Sequence, residues 1–435
     1  MIYYEIRDPL YGFIKISDWE RQIIDSPVFQ RLRRVKQLAW TDYVYPSAGY
    51  SRFEHSLGVM HVATKMFDAV VEKEGSFLKE RLKFEQVGLE RDRALLRKAC
   101  LLHDIGHAPF SHAGEDLMVT NSDTRKRYQH ENYSAAVVRY ILKDVIENHD
   151  ENENYHITAE EIAQFLEGST ARFGRSLLWR DLLSSQLDAD RADYLLRDSY
   201  HCGVTYGHYD LNRLIVTLGI GISETGDCLL AVEQGGIHVA EALIWARYQM
   251  FTQVYFQHTR RAYDHHVADV LAALLQQEQE NDFAITDKNK FPPPTNYANI
   301  SKYLKWDDWK VYGLISNAMG GDAAYRLRER KHFRAVYQTK EIPDAEELDF
   351  IQKVGKELDR VGIPGFIDNA TKSWYKTGKE DIQIFSERDP ERKVFSLSSR
   401  SSLVKGLVPV MQYRIYVPSE RKKETEGIIA RLREV

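Results

Sequence analysis

Leu95-Leu96-Arg97-Lys98-Ala99-Cys100-Leu101-Leu102-His103-Asp104-Ile105-Gly106-His107 is an apolar helical run that ends in histidine and aspartate. Helical spacing sets His103 on the face of Leu96, Ala99 and Cys100, so its ring points inward. A buried imidazole beside a buried carboxylate needs a partner, because an unpaired charge in an apolar interior costs several kcal/mol or neutralises by a shifted pKa. A divalent ion satisfies both. A second word, Phe53-Glu54-His55-Ser56-Leu57-Gly58-Val59, repeats the situation, with Val59 and Val62 continuing the stripe that His55 begins. Either histidine alone reads as a hydrogen-bonded core residue. Far downstream, Asp188-Ala189-Asp190-Arg191-Ala192-Asp193-Tyr194 offers a late carboxylate, and two imidazoles with two carboxylates make the ligand set of a metal-dependent phosphohydrolase.

From residue 18 to about 210 apolar residues recur at helical spacing. Ser26-Pro27 reads as an N-cap followed by proline at the first helical position, opening a helix with the stripe Val28, Leu32, Val35 and Ala39. Arg31, Arg33, Arg34 and Lys36 fall off that stripe, with Asp25 and Gln30 nearby. Thr158 and Glu161 form a capping box for a helix to residue 167, and Asn148 to Asn154 reads as a solvated acidic loop. Leu214–Leu218 and Cys228–Val232 flank Glu-Thr-Gly-Asp as a hairpin. A long helix, with room for a kink, is expected from Ile237 to Gln277. Phe291-Pro292-Pro293-Pro294-Thr295-Asn296 cannot continue a helix. Beyond it, Val410–Val417 reads as a strand and the end as a charged amphipathic helix. The expected fold is mainly α, a helical core with a small β-hairpin over residues 1–290, then a smaller α+β region over 291–435.

A chain of 435 residues can bury a sizeable core. Its three cysteines, Cys100, Cys202 and Cys228, suggest neither a disulfide framework nor a zinc finger, which fits a reducing cytoplasm. No leader and no long apolar run are seen, so membrane spanning is not expected. The net charge of −5 gives no global attraction to nucleic acid.

Asp190, Tyr194 and Asp198 step by four along one helical face bordered by Arg191, offering a carboxylate, a ring, a hydroxyl acceptor and a cation together. Arg52, three residues before His55, can reach an anion on the same ligand. His112 and Glu115, three apart, suit a His–carboxylate pair for proton transfer, and His130-Glu131 is a further acid/base pair. Gly106 and Pro109 break the helix where a pocket needs a mouth.

At these words the chain strongly resembles the HD-domain superfamily and, within it, the deoxynucleoside triphosphate triphosphohydrolases of the SAM-and-HD-domain type, here with no SAM domain expected. The likeness runs over about the first 270 residues. It includes Asp8-Pro9-Leu10-Tyr11-Gly12, Lys36-Gln37-Leu38, the Arg52 to Gly58 word, His103 to His112, His130-Glu131, Asp188 to Tyr194 and Arg260-Arg261-Ala262-Tyr263. It implies a metal held by His55, His103, Asp104 and Asp190, with Fe, Mn, Mg, Co, Ni and Zn all compatible with such donors. It places Arg52 and Arg191 at the triphosphate, Gln37 and Leu38 at the sugar, and Tyr194 and Asp198 around its 3′-hydroxyl. Tyr263 and Asp264 fall near sugar and base, and His107, His112 and His130 at the reaction centre, beside the Glu115 that spacing pairs with His112. The implied products are a deoxynucleoside and inorganic triphosphate.

The resemblance also implies a nucleotide effector bound between subunits of a homo-oligomer, expected to be a tetramer. Asp25, Gln30 and Arg33 match a guanine-nucleotide activator site, and Arg330 and Arg334 match basic residues completing the regulatory sites from neighbouring subunits. Residues 291–435 would then be the regulatory and oligomerisation region. Departures are Tyr255 at a phosphate-contacting arginine, Asp264 at a glutamine, which would favour an amino-bearing base edge, and Tyr4 at a lysine. Two competing readings are another HD-type phosphohydrolase, a phosphodiesterase or nucleotidase, and a nucleotide-sensing regulator without turnover.

Overall fold

The computed structural model describes residues 3–169, 173–280 and 287–434. The chain opens with an antiparallel hairpin, β1 (Tyr3–Asp8) and β2 (Gly12–Ser17). Ser17 and Glu20 form the capping box of α1 (Asp18–Asp25). Ser26 then caps α2 (Pro27–Gln30) with proline in its first turn. The expected long helix lasts only this turn. It tightens into a 3-10 turn over Arg31–Arg34 and is extended at Val35, because the Val35 carbonyl accepts from Arg52 N and Lys36 bridges Ser51. The apolar stripe is nevertheless buried.

Two helices form the centre, α3 (Arg52–Glu80) and α4 (Gln86–Leu102). Around them lie the short α5 (His112–Glu115), α6 (His130–Tyr140), α7 (Lys143–Glu147), α8 (Ala159–Glu167) and α9 (Ala189–Cys202). The Thr158–Glu161 capping box is present. Glycine lets α9 lie against α3, since a Cβ on Gly58 would sit 2.0 Å from an Asp193 oxygen. Gly106 plays the same part for α6, where a Cβ would meet Ser134 N at 2.2 Å. The expected solvated loop at 148–154 is instead partly a 3-10 turn over Asp150–Asn154, fixed by buried Asn152, which donates to the Ile157 carbonyl.

The strand expected from Leu214 is helical, α10 (Leu211–Thr217), because the Asp210 side chain caps it at Arg213 N. The hairpin follows as β3 (Leu218–Ile222) and β4 (Cys228–Glu233). The expected single helix after it is two, α11 (Ile237–Met250) and α12 (His258–Gln279), separated by a π-turn over Phe251–Tyr255. Next come α13 (Tyr297–Tyr303), α14 (Asp308–Ser316), α15 (Gly321–Arg328), β5 (Arg334–Gln338), α16 (Ala345–Arg360) and β6 (Phe366–Lys372). The chain ends with β7 (Gln383–Phe385), β8 (Val394–Ser396), α17 (Leu397–Arg400), α18 (Ser402–Lys405), β9 (Val410–Val417) and α19 (Lys422–Arg433).

The strand β9 lies between β5 and β6 in an antiparallel sheet, whereas β7 and β8 extend the β3–β4 hairpin into a four-stranded sheet. A small core of Ile351, Val354, Leu358, Ile415 and Ile428 joins α16 and α19 to the three-stranded sheet. The main core takes in Phe291, Ile300, Tyr303 and Trp306 along with residues of α3, α4 and α9, and after residue 290 α13 packs on α6 and α15 on α12. Among the described residues no helix is long and apolar enough to cross a membrane.

Candidate metal centre and active-site cavity

His55 lies in the first turn of α3, whose Ser51–Glu54 capping box fixes where the helix begins. His103 and Asp104 close the end of α4. Asp188 is the N-cap of α9, accepting from Arg191 N and pairing with Arg191 Nη1 at 2.7 Å. That cap commits Asp188 and turns Asp190 inward, so of the two late carboxylates Asp190 meets the histidines. His55 Nε2 is 3.0 Å from Asp190 Oδ1 and 3.6 Å from Asp104 Oδ2. His103 Nε2 lies 3.3 Å from Asp104 Oδ1 and 3.7 Å from Asp190 Oδ1. The four expected ligands are thus brought together.

The far nitrogens of both rings are committed elsewhere. His55 Nδ1 is 2.8 Å from Asp193 Oδ2 and His103 Nδ1 is 2.8 Å from the Cys100 carbonyl, so each ring donates its N–H there and turns its Nε2 toward the carboxylates. Asp193 is fixed in turn by Arg197 at 2.9 Å and by the Tyr11 hydroxyl at 2.8 Å. His103 Nε2 is buried and has no hydrogen-bond partner among the described residues. An orphaned imidazole lone pair beside two carboxylates fits a divalent cation. Burial disfavours charge on His55, but Asp190, Asp193 and Asp104 outweigh it and hold its pKa up to about 10, a measure of how strongly the site favours positive charge.

Beside this cluster stands a second. His107 Nε2 lies 3.1 Å from Asp104 Oδ1, and its ring stacks on His130 with centroids 3.9 Å apart. Glu115 is shared: Oε1 is 2.7 Å from His130 Nδ1 and Oε2 is 2.9 Å from His112 Nδ1. Burial would raise Glu115, but His112 and His130 hold its carboxyl well below the usual range. Burial would lower His130, yet Glu115 and Glu131 bring it up to about 9, while burial, Arg52 and His130 keep His107 neutral. The His112 side chain is 69% exposed, with its outer nitrogen accessible. His130 turns to Glu115, at 2.7 Å, more closely than to Glu131, at 3.5 Å. Phe110 and Ser111 precede His112 with φ of 57° and 56°. Ser111, at ψ −127°, occupies a region left mostly to glycine, a strain of about 1–3 kcal/mol that neighbours must offset.

The clusters border a cavity of about 610 Å³, a size suited to a small molecule. Gln37, Leu38, Arg52, Arg191, Tyr194, Asp198 and Asp264 line it as expected. Tyr263 does not. It is fully buried against His332, 4.5 Å between centroids, because the turn before α12 carries that face into the core. Arg52 is tied to Asp104 and to Ser111 Oγ. Asp198 accepts from Tyr50 and from Tyr255 at 2.5 Å, and burial pushes it up to about 6. Asp264 pairs with Arg260 at 3.2 Å. Sequence reading gave no role to Asp193, which is fully buried, and missed the cations Arg247 and Lys372, which reach the cavity from α11 and β6. Burial, Arg247 and Arg191 lower the Lys372 pKa, which marks the three as close neighbours.

Of the expected regulatory residues, Arg33 donates to Gln30 at 2.8 Å and lies over the Phe53 ring, while Asp25 is exposed beside Arg21. Arg330 lies over Tyr43, and Arg334 contacts His332 at 2.9 Å. Arg31, expected on the basic face, is buried and donates to the carbonyls of Trp306 and His107, because the 3-10 turn rotates it into the core.

The HD domain model matches residues 52–198 and the HD associated region model matches 209–357. The protein YwfO of Bacillus subtilis is 32% identical over 95% of this chain and 92% of its own length. The chain belongs to the HD-domain family. This HD-domain chain is 30% identical to the deoxynucleoside triphosphate triphosphohydrolase SAMHD1 homolog of Dictyostelium discoideum, over 69% of the chain and 53% of that relative. It is 29% identical to human SAMHD1, over 79% and 52%. It therefore spans about half the length of these triphosphohydrolases. Among solved structures, a hypothetical protein from Aquifex aeolicus superposes with a TM-score of 0.76 at 27% identity, covering 98% of this chain and 99% of that one. A phosphohydrolase from Bacteroides thetaiotaomicron shares the fold at TM-score 0.71 and 23% identity, covering 96% and 100%. The HD-domain chain is thus a member of a hydrolase superfamily whose domains bind divalent metals, and its His/Asp cluster is suited to one.

Proposed function

We propose that the chain hydrolyses deoxynucleoside triphosphates to deoxynucleoside and intact inorganic triphosphate. The observation that carries this reading is the cationic wall of Arg191, Arg247 and Lys372, joined by Arg261 in its pair with Asp368, in the same cavity that exposes Asp190 and His112. A metal-ligand set alone serves many phosphate esters. A wall of several cations beside it suits a polyphosphate, and the relatives named as deoxynucleoside triphosphate triphosphohydrolases support the same substrate.

In this reading His55, His103, Asp104 and Asp190 hold the divalent ion. When bound, it activates water and polarises the α-phosphoryl group. The basic wall holds the triphosphate, Tyr194 and Asp198 hold the sugar, and Asp264 reads the base. Water adds at the α-phosphorus and the bond to the 5′ oxygen breaks. Glu115 orients His112 so that its outer nitrogen can pass a proton to the departing 5′ oxygen. The reading includes an effector nucleotide at Asp25, Gln30 and Arg33, completed in a homo-oligomer by Arg330 and Arg334; the exposure of Asp25 and Arg33 and the contact of Arg33 with Gln30 support it.

The test is an assay of the full chain, with divalent metal and each deoxynucleoside triphosphate alone and in pairs, analysed for phosphate products. Triphosphate is expected, faster with a guanine nucleotide or a second deoxynucleotide present. Nucleoside monophosphate as sole product, or turnover of a phosphodiester in place of any deoxynucleoside triphosphate, assigns the cavity to another phosphohydrolase reaction.

A further inference from the structure

We infer that Asp308, in the C-terminal half of the chain, is a positioning residue for His112. The inference rests on the reading of His112 as the proton-transfer group. Asp308 is the first residue of α14 and is 1% exposed. Its Oδ1 accepts from Phe110 N at 2.7 Å and its Oδ2 from Lys36 N at 2.8 Å. The Lys36 carbonyl accepts in turn from Ser111 Oγ at 2.6 Å, so one carboxylate closes a ring around the two left-handed residues that lead into His112. One turn along α14, Tyr312 packs edge-on against the Phe110 ring, with centroids 5.5 Å apart.

The ordinary explanation for an aspartate at a helix start is capping, and it is already taken. Asp307 is the N-cap of α14, accepting from Lys310 N at 2.9 Å and pairing with Arg34 at 2.6 Å. Asp308 has no arginine or lysine side chain within ion-pair distance among the described residues. A buried carboxyl group without a direct ion-pair partner is costly, and what chiefly offsets it here is a pair of backbone N–H groups that no other side chain satisfies, with Lys36 and Arg31 contributing from further off. One of them belongs to the residue two before His112. The bond therefore fixes a conformation that Phe110 and Ser111 would not hold unaided, and with it the direction from which His112 meets the cavity.

The experiment compares the wild type with Asp308→Asn, which keeps the shape but sets an amide NH2 against one of the two N–H donors. Expected are kcat lower by roughly 10–100-fold with KM within about twofold, unchanged metal content, and faster amide exchange at residues 110–113 than in α3. Asp308→Glu, which keeps both oxygens one methylene further out, should fall between the two, and provides the reading should Asp308→Asn not fold. Asp307→Ala, which removes the cap and the Arg34 pair, should lower the melting temperature while keeping kcat. Retained kcat in Asp308→Asn overturns the inference, as does parallel loss of kcat, KM and metal content. If the wild type releases no triphosphate, the functional reading fails, and local exchange together with kcat on whichever phosphate ester it does hydrolyse still decides Asp308.

Discussion

His55 and His103 enter the metal cluster from regular helices, each with its far ring nitrogen tied to an acceptor close by, Asp193 or the Cys100 carbonyl. His112, by contrast, follows two residues in left-handed conformation and takes its direction from Glu115, which lies on its own turn but is held by His130 of α6. Helical phase and burial aim the ligand side, with α9 bringing Asp190 and Asp193 to it. Tertiary contacts to α6, to Lys36 and to α14 fix the proton-transfer side. A centre of the first kind should fail all at once, and one of the second kind by degrees.

His103→Ala tests the first half and carries the largest expected effect. It removes the lone pair that has no other partner, and should lose metal and turnover together, by roughly a thousandfold or more in rate; full metal occupancy by elemental analysis of the variant would count against the four-ligand centre. His112→Ala should keep the metal and lower kcat by roughly 10²-fold, and near-normal turnover would remove the distinction between the two clusters. Asp193→Asn, which weakens the grip on His55 without touching the cavity, should cost roughly 10–100-fold in metal affinity, read by chelator competition, with turnover restored by excess metal.

The smallest effect on turnover is expected at Glu20, whose buried carboxylate accepts from Arg97 of α4 at 2.6 Å. Burial would raise Glu20, but Arg97 outweighs it and brings the carboxyl from 4.5 down to about 2. A depressed acid stabilises the fold above its ordinary pKa and loses that contribution as pH falls from about 4.5 through about 2, on the order of 3 kcal/mol in all. Glu20→Gln should therefore lower the melting temperature at pH 7, with the gap to wild type closing below pH 4.

Much of the ligand side was legible in the sequence. The phase of Leu96, Ala99 and Cys100 pointed His103 inward, and the Asp188 to Tyr194 word held the late carboxylate. The choice of Asp190 over Asp188 followed the family resemblance, and its structural reason, the capping of α9 by Asp188, becomes visible in the fold. The pairing of His112 with Glu115 was legible from their spacing. Asp193 was not, because a charge run on a helix looks the same whether it faces water or another helix. Arg247 and Lys372 come from elements distant in sequence, and only packing brings them to one wall. Local propensity also misled where tertiary contacts intervene: the bridge between Lys36 and Ser51 stops the α2 helix early, and Asp210 starts a helix in a run rich in β-branched residues.

The π-turn between α11 and α12 stores one extra residue. Phe256 N closes back on the Phe251 carbonyl at 2.8 Å, an i to i+5 bond holding one residue more than an α-turn would. That residue is taken up inside the turn, where Tyr255 donates to Asp198. Gln257, with ψ 127°, then ends the run and caps α12 by accepting from Arg260 N, so Arg260, Arg261 and Asp264 reach the cavity wall from a helix with a start of its own. The stretch works as a coupling between two shafts: the direction of the second is set at Gln257 and does not inherit the rotation of the first.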